Sequence, residues 1–180
     1  MVLPADILDF WFDPAHKSKL FNSDDAFDAE IRSRFEGTAI GLASGQMIWE
    51  ESAEEMLAKI ICLDQFPRNM YRGTKAAFAW DGLALAQSVV MVDKGWDLKI
   101  DQSRRSFIYM PFMHAEDIVA QNRCVSLVDS RLDDANTLHH AKEHQKVIAR
   151  FGRFPHRNKI LGRNSTAEEI AFLKSGGYTP

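Results

Sequence analysis

Three stretches of this 180-residue chain place proline, aromatic rings and ionisable groups side by side. The first is Leu63-Asp64-Gln65-Phe66-Pro67-Arg68-Asn69, followed by Tyr71-Arg72-Gly73. The second is Tyr109-Met110-Pro111-Phe112-Met113-His114-Ala115-Glu116-Asp117. The third is Arg150-Phe151-Gly152-Arg153-Phe154-Pro155-His156-Arg157-Asn158, followed by Leu161-Gly162-Arg163. The third is basic throughout, with no acid from Arg150 to Asn164. Guanidinium forks match carboxylate and phosphate oxygens two at a time. Arg68, Arg72, Arg153, Arg157 and Arg163 are therefore candidates to hold a small anion, with Asp64, Asn69, His156 and Asn158 orienting it. A histidine trades protons near neutral pH, so His114, with Glu116 and Asp117 close behind it, is a candidate acid–base group. Prolines fix the backbone, which lowers the entropy that ligand binding must remove.

The same residues have a structural reading. Arg150 and Arg153 complement the negative end of the helix before Gly152, and Glu116 and Asp117 suit a helix start. Arginines paired with Asp64, Glu116 and Asp117 would form a buried ionic network. The first and third stretches share Phe-Pro and Arg-Asn, with His156 inserted in the third, which reads as one helix-stop signal used twice. His140-Ala141-Lys142-Glu143-His144 fits the H-x-x-E-H pattern of one zinc-peptidase class. A five-residue pattern recurs by chance on a helix, and the set lacks a further carboxylate ligand. No metal is assigned to it, and His144 reads as a helix-face histidine near the third stretch. Dinucleotide, Walker, G-x-S-x-G and C-x-x-C signatures are missing, so the sequence names no cofactor.

Helices must position these groups. Pro4 opens the first, which carries Ile7, Leu8, Phe10, Trp11 and Phe12. The second starts after Ser23, with Asp24 and Asp25 suiting the positive end of its dipole, and its Phe27, Ile31 and Phe35 share a face. Ser52 and Glu55 form a capping box for the third, which Pro67 is expected to end. A fourth spans about Thr74 to Lys94. A short piece after Asp101 is expected to break at Pro111. Longer helices follow from about His114 to Leu132 and from about Ala135 to Phe151. Ser165 and Glu168 cap a last short one. No convincing run alternates with period two. The expectation is an all-α chain of seven or eight helices in antiparallel hairpins, a tetratricopeptide-like stack forming a single domain over residues 1–180.

Composition narrows the function classes. Hydrophobic residues make up 46% and charged residues 26%, ordinary for a folded domain. The net charge of −3 supplies no field toward nucleic acid or an anionic membrane. Phe151 and Phe154 between arginines could stack bases, but the patch is short, so nucleic acid ranks below a small anion. The two cysteines give no disulfide framework, and no signal peptide or spanning segment is visible. A cytoplasmic, non-membrane protein is expected.

Across nearly the whole length the chain resembles DUF924, a bacterial family of unknown function. The resemblance rests on Leu8-Asp9-Phe10-Trp11-Phe12, Phe27-Asp28, Ile31-Arg32 and Phe35, then on the first stretch and Asp81. It continues through Arg105-Ser106-Phe107, Met110 to His114, Glu116-Asp117, His144, Arg150 to Asn158, and Leu161-Gly162-Arg163 with Ser165. It implies a tetratricopeptide-like helical fold and no particular activity. Ala115 stands where the family usually has serine, which removes any hydroxyl role there, and Leu20 stands where tryptophan is common. Two functions are expected from these readings. One is a pocket for a small anion bearing phosphate or carboxylate, with acid–base chemistry open to it. The other is a helical scaffold for a peptide or protein partner. The pocket calls for unpaired arginine donors around a cleft, the scaffold for arginines satisfied within the fold. The oligomeric state is not legible.

Overall fold

The computed structural model describes residues 2–20, 22–50 and 52–179. Its elements are α1 (Pro4–Trp11), α2 (Asp25–Ser44), α3 (Ala53–Met70), α4 (Asp81–Asp93), α5 (Gln102–His114), α6 (Ile118–Arg131), α7 (Ala135–Phe151), α8 (Asn158–Leu161) and α9 (Ala167–Lys174). Short 3-10 turns link several of them, and no strand occurs among the described residues. The chain is all-helical, as expected, and the helix beyond the expected eight is the single turn α8. No helix is long and apolar enough to cross a membrane, among the described residues. The chain forms two compact units, residues 1–111 and residues 112–180.

In unit 1, local sequence starts each helix. The Leu3 backbone N–H donates to Asp6 Oδ2 (2.7 Å) ahead of Pro4. Asp24 accepts from the Phe27 N–H (3.0 Å) and Ser52 from the Glu55 N–H (3.2 Å), each answering a helix-end donor. Helices α1, α2 and α4 pack on α3. The end of α3 meets the start of α2, through Arg72 and Asn69 on Asp28, so the two run antiparallel. Their apolar faces close on an aromatic centre. Trp11 lies 5.7 Å from Phe66 and 5.8 Å from Phe107 (ring centroids), and Phe35 stacks on Phe66 at 5.1 Å. Each such ring, fully buried, contributes roughly 1.5–3 kcal/mol.

In unit 2, Asp117 caps α6 by accepting from the Ala120 N–H (2.7 Å), and Asp134 caps α7 through Asn136 and Thr137. Gly152 ends α7 in the left-handed region, φ 68°, which favours glycine. Helices α6 and α7 pack together. Asn122 near the start of α6 pairs with Gln145 near the end of α7 (2.7 Å), so they run antiparallel. A small core of Val147, Ile148 and Phe154 is flanked by Phe151, Phe172 and Tyr178.

Several local expectations differ from what the chain does, among them the fourth helix, which begins at Asp81 after a 3-10 turn rather than at Thr74. Pro67 does not end α3, which runs on to Met70; Arg68 Nη1 donates to the Asp64 carbonyl (2.5 Å) in the turn the proline disturbs. Pro111 likewise lies inside α5. His114 therefore closes α5 rather than opening α6. The last box uses Thr166 and Glu169, one residue after Ser165 and Glu168. Ser165-Thr166-Ala167-Glu168-Glu169 allows either register, and Glu169 is the acid that distant partners claim.

Candidate functional site

The candidate residues of the first stretch all find partners inside unit 1. Arg68 grips Asp81 with both arms (2.9 and 3.1 Å) and lies 3.3 Å from Asp64 Oδ1. Asp64 is fully buried. Arg72 forks onto Asp28 (2.7 and 3.0 Å), and that bond raises its already high pKa. Asn69 Nδ2 donates to the same carboxylate (2.7 Å). Two carboxylates thus take up the guanidinium forks that were expected to face a ligand.

The second and third stretches meet each other in unit 2. Glu116 accepts from Arg163 through both oxygens (2.5 and 2.8 Å) and from the Phe154 N–H (2.8 Å). Burial pushes its carboxyl up, and Arg163 with the Phe154 N–H more than offsets this, so it ionises below the usual range. Arg153 forks onto Glu169 (2.6 and 2.8 Å) and reaches the Asn164 carbonyl (2.9 Å). Arg153, the Thr166 N–H and Asn158 hold Glu169 down at about 2. Asn158 donates to Ser165 Oγ and Glu169, and accepts from Arg163 Nε (3.0 Å). Asp117 is occupied as the α6 cap. These bonds form a latch that ties the end of α5, the turn after α7 and the start of α9.

Beside the latch lies a polar group of another kind. Arg157, 5% exposed, donates Nη1 to the His114 carbonyl (3.1 Å) and covers the Phe154 ring at 4.5 Å. Gln121, fully buried, donates both amide hydrogens, to the Met113 carbonyl (2.6 Å) and the Ala115 carbonyl (2.8 Å). These carbonyls flank His114, whose ring is 6.4 Å from that of His144. His144, 3% exposed, has Nδ1 2.8 Å from the His140 carbonyl. A carbonyl only accepts, so the proton is on Nδ1 and Nε2 carries a lone pair. Burial first, then the charge of Arg157 and the neighbouring histidines, push His144 down to about 3, against the pull of the His140 carbonyl. It is therefore neutral at ordinary pH. His144 Nε2, Gln121 Oε1 and His156 Nδ1 are buried without a hydrogen-bond partner among the described residues. Burial and Arg157 push His156 down to about 4.

His114 and Arg157 were legible as candidates, and His144 as a neighbour of the third stretch. Gln121 was not, because nothing near it in sequence marks a glutamine on the buried face of α6. No group of three histidine, cysteine, aspartate or glutamate residues suited to a metal occurs among the described residues, and the H-x-x-E-H pair instead links His144 Nδ1 to the His140 backbone.

Comparison with known proteins supports the helical fold and adds no activity. The family model for a bacterial protein of unknown function, DUF924, matches residues 7–177. A solved structure of a protein of unknown function from Agrobacterium tumefaciens, ATU0120, is similar, with 43% sequence identity and a TM-score of 0.90. The match covers 96% of this chain and 97% of that one. No curated protein matches.

Proposed function

For this chain, which belongs to the bacterial DUF924 family of unknown function, we propose a small-molecule-binding role centred on His114, Gln121 and His144 in unit 2. The observation that carries it is His144. Its imidazole is buried and locked into one tautomer, and its Nε2 acceptor has no partner among the described residues. Buried polar groups are nearly always satisfied, and an orphan acceptor is one that a donor on a ligand can complete. The forks of Arg68, Arg72, Arg153 and Arg163 serve in this reading as latches. An anion held by them would first have to displace a carboxylate.

A thermal-shift screen of the purified protein tests this, with a panel of amides, alcohols, carboxylates and phosphates. A ligand at 100 times its dissociation constant adds ~2.7 kcal/mol, which raises Tm by about 5–10 °C for a chain of this size. The expected hit is lost in His144→Phe and kept in Arg153→Ala, once each variant is compared with its own unliganded Tm. A hit lost in Arg153→Ala and kept in His144→Phe would restore the arginine pocket.

Satisfied arginines also favour the second reading, a helical scaffold for a protein partner. Its docking face is α4, where Leu83 and Val90, one face of the helix, are exposed. A photo-crosslinker at Leu83 that captures one defined partner, with capture lost in Val90→Glu, would put the scaffold first.

A further inference from the structure

We propose that the site takes an uncharged amide-bearing ligand, whose N–H groups bridge His144 Nε2 and Gln121 Oε1. The inference rests on the ligand-binding role above and names the chemistry that fits it. Both orphan groups are acceptors, and both assignments follow from geometry. Gln121 has both amide hydrogens on carbonyls, so its oxygen must be the atom that faces away from them. His144 has its only proton on Nδ1, so Nε2 can only accept.

The two residues sit on neighbouring helices at nearly the same level. Asn122 and Gln145 pair across antiparallel α6 and α7. Gln121 and His144 each precede one member of that pair. At 1.5 Å rise per residue, opposite steps leave them within about 3 Å of the same level. His114 also ties them together: Gln121 bonds the carbonyls on either side of it, and the His144 ring stands 6.4 Å from its own.

Two buried acceptors call for donors, which an ionised carboxylate lacks and which a phosphate supplies only while carrying negative charge into a buried place. An ammonium group has donors, but it would carry charge into a place whose burial, with His114 and Arg157 adding to it, already keeps the His144 imidazole neutral. A primary amide carries two N–H donors on one nitrogen and no net charge. Its carbonyl oxygen suits a site of positive potential.

The test is the side-chain 15N and 1H NMR spectrum of the wild-type protein, titrated with acetamide, N,N-dimethylacetamide, methylammonium and acetate. Acetamide is expected to move the His144 Nε2 and Gln121 side-chain signals saturably. Dimethylacetamide, which keeps the carbonyl and lacks N–H, and acetate are expected to leave them in place, with methylammonium weaker than acetamide. Gln121→Met, which keeps the volume and removes the acceptor, is expected to weaken acetamide binding at least tenfold. Acetate or dimethylacetamide matching acetamide at His144 would overturn the amide assignment and leave the ligand-binding role standing. All four probes silent, with Nε2 bonded only to bound water, would overturn both.

Discussion

The two units hold themselves together by different means. Unit 1 is built on large rings: Trp11, Phe27, Phe35 and Phe66 are all buried against one another. Unit 2 has fewer and smaller buried apolar side chains, among them Leu127, Val128, Val147, Ile148 and Phe154, and a larger share of its interior is ionic or polar. Apolar burial is insensitive to salt and to moderate acid. Charge pairs and buried neutral histidines are sensitive to both. Buried polar groups without a partner among the described residues occur in both units, such as Trp11 Nε1 and Ser88 Oγ in unit 1, but in unit 2 two acceptors, His144 Nε2 and Gln121 Oε1, belong to side chains gathered about His114.

The largest expected effect is in unit 1. Phe66→Ala should cost about 3–5 kcal/mol through lost burial and a cavity, read as a lower urea midpoint that 1 M salt does not rescue. All four tryptophans lie in unit 1, so their fluorescence follows this unit.

Acid should act next, and on unit 2. His144 and His156 have folded pKa values of about 3 and about 4, below the ordinary 6.5. Their stabilisation is complete above pH 6.5 and is lost as pH falls toward those values. By pH 5 each histidine should cost the fold about 2 kcal/mol. Glu169, depressed from 4.5 to about 2, adds a second loss between those values. Amide exchange should therefore show α7 and α9 opening before α2 and α3 as pH drops. The reverse order would mean that the charged groups are not what limits unit 2.

Removing one latch should have a smaller effect. Glu116→Gln keeps the shape and loses the charge facing Arg163, for about 1–2 kcal/mol after allowing for solvent. High salt should shrink the difference from wild type. The smallest change is expected from Arg150→Ala, whose partner Glu168 is exposed. It should stay within about 0.5 kcal/mol by denaturant titration.

Much of the fold was legible locally. Ser52 and Gly152 mark helix ends by the chemistry of unpaired backbone groups, and they do so here. Pro67 and Pro111 misled because tertiary packing carries a helix past a proline when the disturbed turn finds other partners. The arginines of the candidate site were visible, but their occupants were not. Asp28, Asp81 and Glu169 lie 13 to 44 residues from the arginines they bind. Only the folded chain shows that these forks are filled. Gln121 was invisible for a related reason, since its role depends on two carbonyls, of Met113 and Ala115, at the end of a different helix.

The most direct measurement is the imidazole 15N spectrum of His144 from pH 7 to 5 in the unliganded protein. A neutral ring throughout, protonated at Nδ1 with Nε2 as a free acceptor, is the predicted result. A ring that titrates between pH 6 and 7, or one protonated at Nε2, would contradict the buried acceptor on which the proposed site depends.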